Sequence, residues 1–145
     1  MREILFRGRI SKNEWVYGLP IEGEPLMGGG KETCIVTKPG LSYYDGVLMT
    51  YDECVEVDPD TVGQFTGLTD KNGTKIFEGD IVRYGDTIHR VVFEQRNGTA
   101  YFGLVYAACE TLPFGHYQDL KQIEVIGNIY DNPELQPGTA GGEQK

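Results

Sequence analysis

The chain has 145 residues, with 13 Lys and Arg against 22 Asp and Glu for a formal net charge of −9, and 39% of it is hydrophobic. That length builds a core without disulfide staples. The three cysteines (Cys34, Cys54, Cys109), odd in number and without C-x-x-C spacing, make neither a disulfide framework nor a zinc site. The acidic balance argues against non-specific nucleic-acid binding, which depends on Lys and Arg displacing counterions, and a mean hydropathy of −0.35 without a long apolar run excludes a membrane-spanning helix.

Twenty glycines and nine tyrosines, with few helix-period stretches, read as mainly β. Met1–Arg7 alternates charged and apolar residues. This is a strand pattern rather than a signal peptide, so a cytoplasmic protein is expected. Ile4–Phe6 and Trp15–Tyr17 form a first strand pair around a turn ending at Asn13. Residues 22–31, with four glycines and a proline, are a loop. Strands follow at Thr33–Thr37, Gly46–Tyr51 and Cys54–Val57, and Pro59 closes that region.

The second half opens with Phe65–Leu68 and Lys75–Phe77 flanking Asn72-Gly73, then Asp80–Tyr84 after a Glu78-Gly79-Asp80 corner. This is the opening of a small antiparallel barrel. Ile88–Gln95 and Thr99–Tyr106 flank Asn97-Gly98, a dipeptide that accepts the positive φ of a two-residue hairpin turn. That loop length puts Phe93 opposite Phe102, Val91 opposite Leu104 and His89 opposite Tyr106, all on one face. The last strand is Glu124–Tyr130. Asp131–Leu135 is a short C-terminal helical turn, capped by Asn132 with Pro133 in first position. The expected organisation is therefore an N-terminal β segment over 1–60, a small barrel over 61–135 and a disordered tail over 136–145.

Charge is uneven along the chain. Arg2, Arg7, Arg9 and Lys12 face only Glu3 in residues 1–12, whereas Asp45, Asp52, Glu53, Glu56, Asp58 and Asp60 have no Lys or Arg among them in residues 45–60. Tyrosines beside the acidic stretch add apolar area with a polar tip, a combination favoured at interfaces. Tyr43, Tyr44, Tyr51, Asp52, Glu53 and Glu56 are the candidate interaction surface. A homo-oligomer in which the basic start meets the acidic stretch, within or between subunits, is expected, as is a protein partner.

No catalytic motif competes. Gly28-Gly-Gly-Lys31 fails as a phosphate loop, because Pro25 stands where the first glycine belongs and Glu32 where the hydroxyl belongs. Asp70–Gly73 has its glycine too early for a calcium loop. Glu78 and Asp80 suit a strand corner, where an aspartate accepts backbone N–H bonds, better than acid–base work. His89 reads as a satisfied core or edge histidine. Cys109 and His116 lack an electropositive setting for a thiolate. No cofactor and no metal are expected. The first reading is a non-enzymatic binding or adaptor module. An acidic nucleic-acid mimic follows, and a carboxylate enzyme comes last.

Three strings together resemble the YopX family of phage and prophage proteins. They are Met1-Arg-Glu-Ile-Leu-Phe-Arg-Gly8 with Glu14-Trp-Val-Tyr-Gly18, Val62-Gly-Gln-Phe-Thr-Gly-Leu-Thr-Asp-Lys-Asn-Gly73 with Ile76-Phe-Glu-Gly-Asp-Ile-Val82, and Val125-Ile-Gly-Asn-Ile-Tyr-Asp-Asn-Pro-Glu-Leu135. The resemblance spans residues 1–135 and implies an SH3-like barrel encoded by a phage or mobile element. It carries over no catalytic residue, and its conspicuous glycines and isoleucines are those that turns and strands demand.

Overall fold

The computed structural model describes residues 1–106, 111–114 and 118–136, so the expectations for Cys109, His116, Tyr117 and the tail past Gln136 lie outside the described residues. The described chain is almost wholly antiparallel β and divides into two compact units, one over Glu3–Gln64 and one from Phe65 onward. The division falls inside a single strand, β5 (Asp58–Thr69). Pro59 therefore sits within a strand instead of closing a region. It occupies the second position of β5, where the ladder to the neighbouring strand has no pair at residue 59 and a missing N–H costs no bond.

The first unit contains β1 (Phe6–Ser11), β2 (Glu14–Gly23), β3 (Glu32–Tyr44), β4 (Val47–Glu56) and the start of β5, in the order β4-β3-β2-β1-β5. Two tight turns build it. Asn13 (φ 61°), and Asp45 and Gly46 (φ 50° and 78°), supply the positive φ that short hairpin loops need. The expected loop narrows to residues 24–31, and three expected short strands become two long ones. Pro39-Gly40 resembles a breaker. Yet β2 pairs with β3 only over Glu32–Val36, so beyond Val36 β3 has β4 as its one neighbour, and an edge tolerates proline.

Two local features set the geometry of this unit. The register shifts between Val36 and Lys38 while Cys54 and Glu53 stay consecutive, so Thr37 is an extra residue, a β-bulge. At Gly18 a Cβ would collide with the Val36 carbonyl, so glycine lets β2 and β3 approach.

The second unit holds the rest of β5, with β6 (Lys75–Phe77), β7 (Asp80–Tyr84), β8 (Thr87–Arg96), β9 (Thr99–Val105), β10 (Thr111–Pro113) and β11 (Ile123–Asn128). Five strands form a sheet in the order β10-β9-β8-β7-β11, and β6 pairs with β5. Neither this sheet nor any other among the described residues closes on itself, so the expected SH3-like barrel is not confirmed. The core is Ile76, Val82, Val91, Leu104 and Ile123, with Leu68, Tyr84, Tyr106 and Phe114 among the side chains packed against it.

The expected β8–β9 register is the observed one: Phe93 pairs with Phe102 and Val91 with Leu104. Burial grades along that face. Val91 and Leu104 are buried, Phe102 is half-buried and Phe93 is 42% exposed at the hairpin end. His89 is buried, its ring centroid 4.2 Å from that of Tyr106. Its Nδ1 lies 3.1 Å from the Val105 carbonyl, which can only accept, so the proton sits on Nδ1. Burial lowers the pKa of His89 and the Val105 carbonyl works against that.

One carboxylate joins the β5–β6 turn to β11. Oδ1 of Asp70 accepts from the N–H groups of Asn72 and Thr74 at 2.8 and 2.9 Å, and Oδ2 accepts from Val125 N–H at 2.9 Å. Burial would raise its pKa, but these three amide bonds, with Lys71 beside it, outweigh that and hold it below the ordinary carboxylate value. Asp80 is used in the same way, its Oδ2 accepting from Phe77 N–H at 2.8 Å.

At the C-terminal end, Pro133 opens a 3-10 turn over Pro133–Leu135 as expected. Asn132 does not cap it. Its Oδ1 instead accepts from the Asn128 N–H. Gln136, expected to be free, accepts from Arg90 Nη1 at 3.1 Å.

Two stability measurements follow from this packing. Leu104→Ala should cost about 3–4 kcal/mol, within the range for a buried leucine. Phe102→Ala should cost less, about 1–2 kcal/mol, because a half-buried ring falls short of the full core penalty. Equal losses in urea melts would contradict the burial gradient. Asp70→Asn should destabilise by about 1–3 kcal/mol at pH 7, since one amide N–H is left facing a donor. The native pKa is lowered, so this carboxylate's contribution is fully present above the unfolded value of about 3.9. It is lost as pH falls through the native value. Wild type and variant should therefore converge as pH falls through that lowered native value, and a constant gap across pH would show that charge plays no part.

Candidate interaction surface

In an antiparallel sheet with one solvated face, inward positions are apolar and outward positions polar. β2 breaks that rule. Its side chains alternate, and the inward set is Val16, Gly18 and Pro20, whereas the outward set includes Tyr17, Leu19 and Ile21. Register extends both faces across the sheet. Ile35, wholly buried, pairs with Pro20 and Val55, which puts it on the inward side. Leu19 pairs with Val36 and Ile21 with Cys34, which pair in turn with Cys54 and Glu56. Following β4 by twos from Glu56 reaches Leu48, the partner of Tyr43. Because of the Thr37 bulge, Leu41 and Tyr43 share this outward side with Leu19 and Ile21.

Tyr17, Leu19, Ile21, Leu41, Tyr43 and Leu48 thus lie on one outward side, each between 47 and 75% exposed, with Pro39 and Asp52 at the register positions between the β2 members and Leu41. Beyond the end of β2, β3 and β4 form a two-stranded arm whose other face is also apolar, with Tyr44, Val47 and Met49 exposed.

Of the residues expected to form the surface, Tyr43 and Tyr44 are exposed on the arm, 75 and 74% respectively, but as neighbours they point to opposite faces. The backbones of Tyr51 and Asp52 pair with Gly40 and Pro39, and their side chains lie outside the described structure. Glu53 meets Lys38 at 3.5 Å across the arm, on the face opposite Leu41. Glu56 is exposed at the rim, opposite Cys34. The six do not form one patch.

The basic start and the acidic stretch adjoin at one point of the first unit's backbone register. β1 pairs with β5 so that Arg9 stands opposite Asp58, and buried Arg7 stacks 4.5 Å over the Trp15 ring.

The apolar members on β2, together with Leu41, Leu48 and Met49, escaped sequence reasoning. The period-two run Trp15, Tyr17, Leu19, Ile21 was visible, but periodicity shows that a face exists and not whether anything covers it.

Catalytic groupings find little support among the described residues. No group of three or more His, Cys, Asp or Glu could hold a metal ion. Burial, then Cys54, Glu32 and Glu56, push the Cys34 thiol up, away from a reactive thiolate. A depression of about 360 Å³ lined by Leu68, Thr69, Asp70, Lys71 and Lys121 offers one carboxylate, and three amides already occupy it. Among the described residues no helix is long and apolar enough to cross a membrane.

Comparison with known proteins gives a consistent fold. The crystal structure of protein EF1440 from Enterococcus faecalis superposes with a TM-score of 0.57 at 23% identity, covering 93% of this chain and 99% of that one. No curated protein matches the sequence. The model of the family described as YopX protein matches residues 6–136, from β1 through the final 3-10 turn, and the chain belongs to that family.

Proposed function

We propose that the chain is a non-enzymatic accessory module of phage or prophage origin that acts in the bacterial cytoplasm by binding protein through the outward face of β2–β4. The observation that carries this reading is the inversion of β2, with Tyr17, Leu19 and Ile21 outward where polar residues belong. Contiguous exposed apolar area of several hundred Å² marks an interaction surface. The carboxylates favour neither alternative. Asp70 and Asp80 are spent on backbone amides, Glu53 meets Lys38, and Asp58 is the backbone partner of Arg9, which counts against these four as phosphate surrogates.

Site-specific photo-crosslinking in bacterial cells tests this. A photoreactive residue at Leu41 should give covalent protein adducts, and the same residue at Lys12, in the β1–β2 turn, should give none. Adding Leu19→Lys should cut the Leu41 adducts at least tenfold. Silence at Leu41, in cells and with concentrated purified chain alike, would end the proposal.

A further inference from the structure

We infer that the molecule covering the outward face of β2–β4 is a second copy of this chain. The inference rests on the reading above and names its partner.

The first argument is that the cover is obligatory. Among the described residues the first unit has three buried apolar side chains, Ile35, Val36 and Val57, against eight in the second. The β3–β4 arm past Val36 is a two-stranded ribbon, a structure only marginally stable in water without a third strand or a packing surface. A surface that must be covered for the arm to keep its shape needs a partner present whenever the chain is made. Another copy of the chain always is.

Area and chemistry agree. The six outward side chains expose roughly 700 Å², close to the roughly 800 Å² per partner of a stable protein interface. They are Leu, Ile and Tyr, with no Lys, Arg, Asp or Glu among them, matching the charge-depleted, tyrosine-enriched centre of such interfaces. Pairing these six with themselves buries no charge of their own, and the two carboxylates whose register positions share the side, Asp52 and Glu56, must stay solvated at the margin of the contact. The Lys38–Glu53 pair lies on the opposite face of the arm and stays outside the contact. Closed two-fold pairing of one patch with itself is the commonest solution.

Net charge supplies a sign. Each copy carries −9, so two copies repel over the roughly 8 Å that physiological salt leaves unscreened. Added salt should therefore tighten the assembly, whereas an interface joining a basic strand to an acidic stretch would loosen.

Light scattering coupled to size exclusion, on the full chain at micromolar concentration, tests the inference. The expected mass is at least twice the 16.2 kDa of one chain. Leu19→Lys with Leu41→Lys should weaken association tenfold or more. Leu26→Lys, at a fully exposed apolar residue in the loop between β2 and β3, should change nothing. If the double variant does not fold, hydrogen exchange on the unaltered chain decides. Amides of residues 41–49 should gain protection as concentration rises, and protection independent of concentration overturns the inference. A monomer throughout, or an assembly indifferent to the double variant, also overturns it. In that case Leu41 adducts to a different protein would leave the binding reading standing, whereas no adducts at all would remove both.

Discussion

A β-sheet has two faces, and the first unit has apolar cover for one of them. Its inward side gathers around Ile35, aided by close approaches at Gly8, where Val57 fills the space a Cβ would take, and at Gly18 under the Val36 carbonyl. The outward side meets water with leucine, isoleucine and tyrosine. A coating of Lys and Glu would make this sheet self-sufficient. On this side β2 has no charged residue between Trp15 and Ile21, and the register leaves Asp52 and Glu56 as the acidic positions of β4. The apolar character of the arm's outward side follows from that distribution.

The second unit solves the opposite problem. Its core closes on Ile76, Val82, Val91, Leu104 and Ile123, and its irregular connections are fastened by acids. Asp70 holds a turn and a distant strand with one carboxylate, and Asp80 holds the corner before β7. Asp70, which accepts three amide bonds, is a poor proton carrier, because its charged form is already stabilised. Asp80, one of the acids weighed for chemistry in the sequence, fastens a corner of the fold.

Much of this was legible from residues alone. The β8–β9 pairing followed from Asn97-Gly98, and the corner role of Asp80 from its place after Gly79, because turn chemistry is local. Strand extents in the first unit were not legible. Pro39-Gly40 and Pro59 carry strong breaking signals, and both sit where a strand lacks a ladder bond to lose, a tertiary circumstance with no local mark. The surface was half legible. Tyr43 and Tyr44 were found because they flank an acidic run, while Tyr17, Leu19 and Ile21 were missed because alternation fixes parity and not sidedness. Barrel closure was beyond reach for the same reason, since pairing between strands far apart in sequence leaves no local trace.

The bulge at Thr37 has a consequence for how the arm tolerates change in length. It is one residue of slack between Val36 and Lys38, where β4 runs on without a gap. A deletion there would remove the slack and leave Leu41 opposite Thr50 and Tyr43 opposite Leu48, with their side chains on the same side as before. An insertion has no such reserve. It must add a second bulge or slide the ladder by one step, which would turn Leu41 and Tyr43 toward the face of Ile35 and bring Ser42 and Tyr44 outward. The arm is thus buffered against shortening and intolerant of lengthening by single residues, an asymmetry set by counting along the backbone rather than by any side chain.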